Sequence, residues 1–310
     1  MSRIALLLAC PLACVLALGC NARGHSGGGK LPPLERPTGP MGLEAARSYV
    51  LELVNRDREK EGLPPVERDE IAERGAQRHV EDMVRTGFTA HWGTDGSVPE
   101  QRYSEAGGVD FVQENAACFF DGTPRDLDPN PTFTAAQLEK IETAFISEVP
   151  PNDGHRKNIL KPVHNYLGVG LGKPVGVDQP CMTQEFVDRY GEYDEVPKTA
   201  TVGQKLKVSG SIAAPVEFGG VGLSRIEPAK PRSPAELNQT NVYPVPEPFV
   251  LYFPAGFKTP KPVQVEGNEF RIEVPLSDGG KPGRYGVSVW GKYPGADALV
   301  MVSLRTIDVR

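Results

Sequence analysis

Apolar positions recur every three or four residues through the first half of the chain and every second residue near its end. Leu43, Ala46, Val50, Leu53 and Val54 fall at helical spacing among charged residues and predict a helix over 43–61. Gly62 and Pro64-Pro65 stop it. A second helix is expected over 69–85, closed by Gly87, with Ala72, Ala76, His79, Val80 and Met83 on its inward stripe. His79 therefore reads as a half-buried packing residue rather than a ligand. Ser97 with Glu100 fits a capping box for a short helix toward Ala106, and Thr134 with Gln137 fits another for a helix through Ser147. Short strands follow over 166–172 and 182–187. The balance is an α+β layer arrangement.

From Pro197 the helical period disappears. Phe270, Ile272 and Val274 alternate with charged residues, as do Tyr285, Val287 and Val289, and then Val300, Val302 and Leu304, between Gly and Pro clusters. This predicts an all-β sandwich over 197–310, of immunoglobulin-like type. Pro228 to Pro248 reads as a Pro-rich surface loop, with docking of a partner as the alternative. No His follows His164, and this half offers no catalytic constellation.

The N-terminus changes the expected setting. Arg3 and the short apolar run from Ile4 to Leu18 read as an export signal, too short to span a bilayer. Ala17-Leu18-Gly19-Cys20 resembles the lipobox of bacterial lipoproteins, which implies lipidation of Cys20 after removal of 1–20. The alternative is ordinary cleavage without an anchor. Residues 21–40, rich in Gly and Pro, read as a tether. Cys10 and Cys14 leave with the signal, so Cys118 and Cys181 remain as an even pair in an oxidising compartment. One disulfide between them is expected, with two buried free thiols as the alternative. Net charge is −6 with both signs interspersed, and no basic stripe suggests nucleic acid.

The candidate chemistry lies over 41–192. Leu53-Val54-Asn55-Arg56-Asp57-Arg58, Gly87-Phe88 with His91, Gln113-Glu114-Asn115, Gly154-His155-Arg156-Lys157-Asn158-Ile159-Leu160, Leu167-Gly168-Val169-Gly170 and Thr183-Gln184-Glu185-Phe186 occur in that order. In this order the segments resemble the bacterial branch of the CAP superfamily of cysteine-rich secretory, antigen 5 and pathogenesis-related proteins. The resemblance implies an α-β-α sandwich over 41–192 with a central cleft carrying two His and two Glu, often with a divalent cation such as zinc. His91, Glu114 and His155 match the family's positions, with Gln113 where Gly is usual. Glu148 is the choice for the second Glu. A carboxylate near a helix C-terminus is disfavoured by about 0.3–1 kcal/mol, which a nearby cation or imidazolium offsets. A solvated surface Glu is the alternative. Imidazoles and carboxylates crowded together call either for a divalent ion or for protonated His paired with carboxylate.

The expected function is an exported, surface-tethered module. Its His91, Glu114, Glu148 and His155 cleft binds a ligand or weakly held zinc or calcium, without turnover. The ligand would be an envelope component or a lipid, and contact with a membrane would run through the N-terminal lipid alone. A metal-assisted, peptidase-like hydrolase is the alternative. The chain has no Gly-x-Ser-x-Gly elbow and no His-Glu-x-x-His helix.

Overall fold

The computed structural model describes residues 31–240 and 242–310. The signal, Cys20 and the first part of the tether lie outside the described residues.

The chain opens with α1 (Leu43–Lys60), β1 (Glu67–Arg68), α2 (Glu70–Thr86), α3 (Pro99–Glu105), β2 (Phe111–Ala117), α4 (Ala135–Ile146), α5 (Gly154–Ile159), β3 (Tyr166–Gly172) and β4 (Cys181–Asp188). The Asp69 carboxylate caps α2 by accepting from the N–H groups of Ile71 and Ala72, and Gly87 closes it at φ 75°. Thr134 and Gln137 form the expected capping box. The box expected at Ser97 does not form. Asp95 Oδ1 takes the Ser97 N–H at 2.8 Å, and the helix starts one residue later, with Val98 as its cap and Pro99 at its first turn. Glu100 is left buried.

The strands form one sheet of order β1-β3-β4-β2, antiparallel except for β1 with β3. Leucine and glycine alternate on β3, and this decides how its two faces are covered. Leu167, Val169 and Leu171 point into a core with Val50 and Val54 of α1, Leu138 and Phe145 of α4, and Ile159 of α5. Each such side chain contributes about 1.5–3 kcal/mol by leaving water. Gly168 and Gly170 face α2, whose backbone comes so close that a Cβ on either would lie 2.3 or 2.4 Å from Ala72 or Ala76. The result is helix, sheet and helix in three layers. No helix among the described residues is long and apolar enough to cross a membrane.

The second half holds β5 (Gly191–Tyr193), β6 (Thr199–Ala200), β7 (Lys205–Ile212), β8 (Glu217–Ile226), α6 (Pro234–Leu237), β9 (Pro248–Tyr252), β10 (Gln264–Glu266), β11 (Glu269–Pro275), β12 (Gly283–Lys292) and β13 (Val300–Val309). They make sheets of order β10-β11-β7-β5 and β6-β13-β12-β8-β9. The alternating residues supply the core between them: Leu206, Val208, Phe270, Ile272 and Val274 from one sheet, Val221, Leu223, Tyr285, Val287 and Val302 from the other.

The two halves are packed together. Met301 and Leu304 of β13 meet Phe111 of β2, and Ser303 Oγ donates to the Val109 carbonyl at 2.6 Å. Residues 228–240 and 242–247 run over the surface, as expected of a Pro-rich loop, and lie against the first half. Leu237 is fully buried with Val80, Met83, Val84 and Phe88, because it fills a gap that α2 leaves open.

Candidate functional site

His91 follows the turn after α2, Glu114 lies in β2, Glu148 follows the end of α4, and His155 opens α5. The fold brings all four to one cleft of about 570 Å3. Two of the contacts are pairwise. Glu114 Oε1 accepts from His91 Nδ1 at 3.0 Å, and Glu148 Oε1 accepts from His155 Nδ1 at 2.6 Å. The two rings lie 6.4 Å apart, edge to face. The second Glu148 oxygen accepts the His155 N–H at 2.9 Å. That contact shows what the Glu148 carboxylate does: it satisfies the exposed amide end of a short helix while orienting the first side chain of that helix.

An ionised carboxylate can only accept, so each Nδ1 carries a proton, and in the neutral form of either ring Nε2 is left with a lone pair. Burial lowers the His155 pKa, although Glu148 pulls the other way. Burial alone would raise the Glu114 carboxyl. His79, Arg102 and His91 outweigh it and hold Glu114 below the usual carboxylate range. His79 is itself driven down to about 4, by burial first and then by Arg102. At neutral pH Arg102 is therefore the lasting counter-charge. Its guanidinium donates to Glu114 Oε2 at 2.8 Å and to the carbonyls of His91 and Ser97 at 3.1 Å. One buried arginine thus fixes both the acid and the backbone of its imidazole partner.

Directly across the sheet from Glu114 stands Glu185, fully buried and with no partner on either carboxyl oxygen. Burial and the neighbouring Glu114 charge push it well above the ordinary value, so it stays neutral. Burial also takes Glu100 up to about 7.

On the other face a chain of amides holds the cleft floor. Gln184 donates to Glu142 Oε2 at 2.5 Å and accepts from Asn115 Nδ2 at 3.0 Å. Asn115 also donates to the His155 carbonyl, and Asn158 donates to the Asn115 side chain and the Glu114 carbonyl. The Asn and Gln of three separate motifs are therefore one network, and it sets the position of both His155 and Glu114. Burial pushes Glu142 up to about 8. Between the ordinary carboxylate pKa and that value the folded chain keeps a proton that the unfolded chain has lost, so stability falls as pH rises through the window. Glu142→Gln is expected to remove that slope. It should be more stable than the parent by up to about 4 kcal/mol at pH 8, with the gap closing toward pH 4. Urea titrations at both pH values check this, and identical pH dependence in the two proteins would refute it.

Arg102, Glu142, Asn115, Asn158 and Gln184 had no assigned role in the sequence reading. Asn115, Asn158 and Gln184 stood inside the quoted motifs and could have been found there. Arg102, between Gln101 and Tyr103 in a polar helix, carries no local signal.

Cys118 and Cys181 are joined by a disulfide, just beyond the last paired residues of β2 and β4, Ala117 and Met182. The bridge closes the strand pair that carries Glu114.

Among the described residues no group of three or more His, Cys, Asp or Glu is arranged to hold a metal ion. The residues present fit a cation only as two nitrogen donors, His91 Nε2 and His155 Nε2. The carboxylates are already engaged at the opposite ring nitrogens, an arrangement that orients metal-binding imidazoles elsewhere.

Residues 51–174 match the model of the cysteine-rich secretory protein family, CAP. The chain is 28% identical over 151 residues to the uncharacterized protein YkwD of Bacillus subtilis (strain 168), covering 48% of this chain and 50% of that one. It thus spans about half the length of that curated relative. A solved extracellular protein containing an SCP domain from Bacillus anthracis str. Ames is similar at 23% identity and a TM-score of 0.34, over 47% of this chain and 41% of that one. A chitin binding domain from Burkholderia pseudomallei is similar at 13% identity and a TM-score of 0.23, over 36% and 56%. The six ordered motifs, the three-layer fold and the family match agree that residues 51–174 are a CAP domain of the cysteine-rich secretory protein type.

Proposed function

We propose that the protein is an exported binding module whose cleft holds a ligand or a weakly bound divalent cation, zinc or calcium, without turnover. The observation that carries this is the pair of imidazoles whose Nδ1 atoms are each bonded to a carboxylate, His91 to Glu114 and His155 to Glu148. Both rings are fixed in tautomer and direction, and both keep Nε2 for a ligand. A cation there would supply positive charge for an anionic oxygen of the ligand. The disulfide agrees with export to an oxidising compartment. In this reading Cys20 carries the lipid that holds the protein at the cell surface or the periplasmic face, and without it the protein is secreted. The ligand is an envelope component or a lipid.

Isothermal titration with zinc tests the site. Heat is expected from the parent and none from the His91→Ala, His155→Ala double variant. Equal heats from both would end the cation reading. Hydrolysis of casein or peptidoglycan fragments that His155→Ala abolishes would replace binding with catalysis.

A further inference from the structure

We propose that residues 228–240 and 242–247 of the β-domain form a built-in cover over the His91 half of the cleft, with Tyr243 as the residue that controls access to that imidazole. That this access governs a ligand rests on the binding role proposed above; the cover itself does not.

The segment leaves β8, crosses to the CAP domain, and returns to β9. It is held along its length by contacts of different kinds. The Lys230 backbone lies so close to Gly96 that a Cβ there would come within 2.2 Å. Arg232 N–H donates to the Thr94 carbonyl at 2.8 Å, and its guanidinium sits 4.1 Å above the Trp92 ring. Ser233 and Glu236 cap the single turn of α6, whose last residue, Leu237, is the buried plug against α2. Asn238 Oδ1 accepts the Thr89 N–H at 3.0 Å. At the far end Val245 packs with Phe111, Met301 and Leu304. Pro244, Pro246 and Pro248 restrict the backbone between the cleft and β9, so less entropy is lost in holding it there.

Between these anchors the chain passes the cleft. Thr240, Val242, Tyr243 and Val245 form one wall, while the loop bearing Glu148, Pro151 and Asn152 forms another. The Tyr243 ring stands 5.3 Å from the His91 ring, and the Val242 carbonyl accepts from Trp92 Nε1 at 3.2 Å. The tip itself is light: Val242 is 76% exposed. Among the described residues, the Val242 hydrogen bond to Trp92 and the packing of the Tyr243 ring beside His91 hold it, while the two anchors hold the rest. The tip can therefore lift without undocking the β-domain.

The cover is one-sided. His155 has Phe145 of its own domain against it, at 4.5 Å. His91 has a residue of the other domain. The His155 side chain is 28% exposed and that of His91 17%, and Tyr243 is the ring that narrows the approach to His91.

Diethyl pyrocarbonate labelling of the full-length protein, read per histidine by peptide mass mapping, tests this. His155 is the internal reference, and the buried His79 and His164 report that the fold is intact. Tyr243→Ala is expected to raise the His91 labelling rate on the order of tenfold, as when an opening that costs about 1.4 kcal/mol is no longer needed. Tyr243→Phe should restore the parent rate, and Trp92→Phe, which removes the anchor bond to the tip but keeps a ring beneath Arg232, should raise it by a smaller factor. An unchanged His91 rate in both Tyr243→Ala and Trp92→Phe overturns the proposal. Faster His91 labelling with no zinc heat from any of these proteins would sustain the cover and dismiss the cation reading.

Discussion

Arg102→Met is expected to unfold in urea well before the parent, losing about 3–5 kcal/mol. The guanidinium and the Glu114 carboxylate are both shut away from water, 2.8 Å apart. Removing one partner leaves a bare charge in the interior, which costs far more than the pair itself contributes to stability. Methionine has similar reach and fills the space, so a large loss reports charge rather than a cavity. Glu185 cannot take over, because it is a neutral acid facing the same carboxylate. Adding Glu114→Gln to the same chain should return much of the loss, since no unpaired charge is then buried. An Arg102→Met transition coinciding with the parent, or no recovery in the double variant, would show that the pair does not have this role.

The second large effect belongs to the disulfide. Cys118→Ser with Cys181→Ser should cost about 4 kcal/mol, the chain-entropy value for a closed loop of this length. The loss has a specific location. The bridge sits at the open end of the β2–β4 pair, so hydrogen exchange of the amides of Asn115, Ala116 and Ala117 should accelerate more than that of β12 in the other half. Reducing the parent under native conditions should reproduce the variant. If thermal melts of oxidised and reduced parent superimpose, the bridge contributes nothing to stability.

How much of this was legible beforehand depends on the range of the interaction that fixes each part. α1, α2 and α4 are set by local apolar period and by caps within a few residues, and Asp69, Gly87 and Thr134 each stand where the element begins or ends. The Leu-Gly alternation of β3 is equally local. The box at Ser97 failed because a competitor two residues upstream, Asp95, took the same N–H. His79 reads as a half-buried packing residue; it packs against Phe88 with Nε2 on the Ala90 carbonyl, but it is fully buried. What could not be read was long-range. Arg102 meets Glu114 across a turn and a strand, and Tyr243 meets His91 from a different domain. Neither contact leaves a period or a spacing in the chain. The proline content of 228–248 predicts a surface loop, with docking of a partner as the alternative, but not the surface it follows.

Leu237 carries one last consequence. A side chain rooted in the sandwich completes the hydrophobic interior of its neighbour. The two halves therefore cannot be traded like beads on a string. A lineage that grafted this CAP unit onto another companion would inherit an unfilled hole behind α2, and would have to mend it before the graft could persist. The boundary that looks like a linker in the alphabet of residues is, in three dimensions, a joint with a dowel through it.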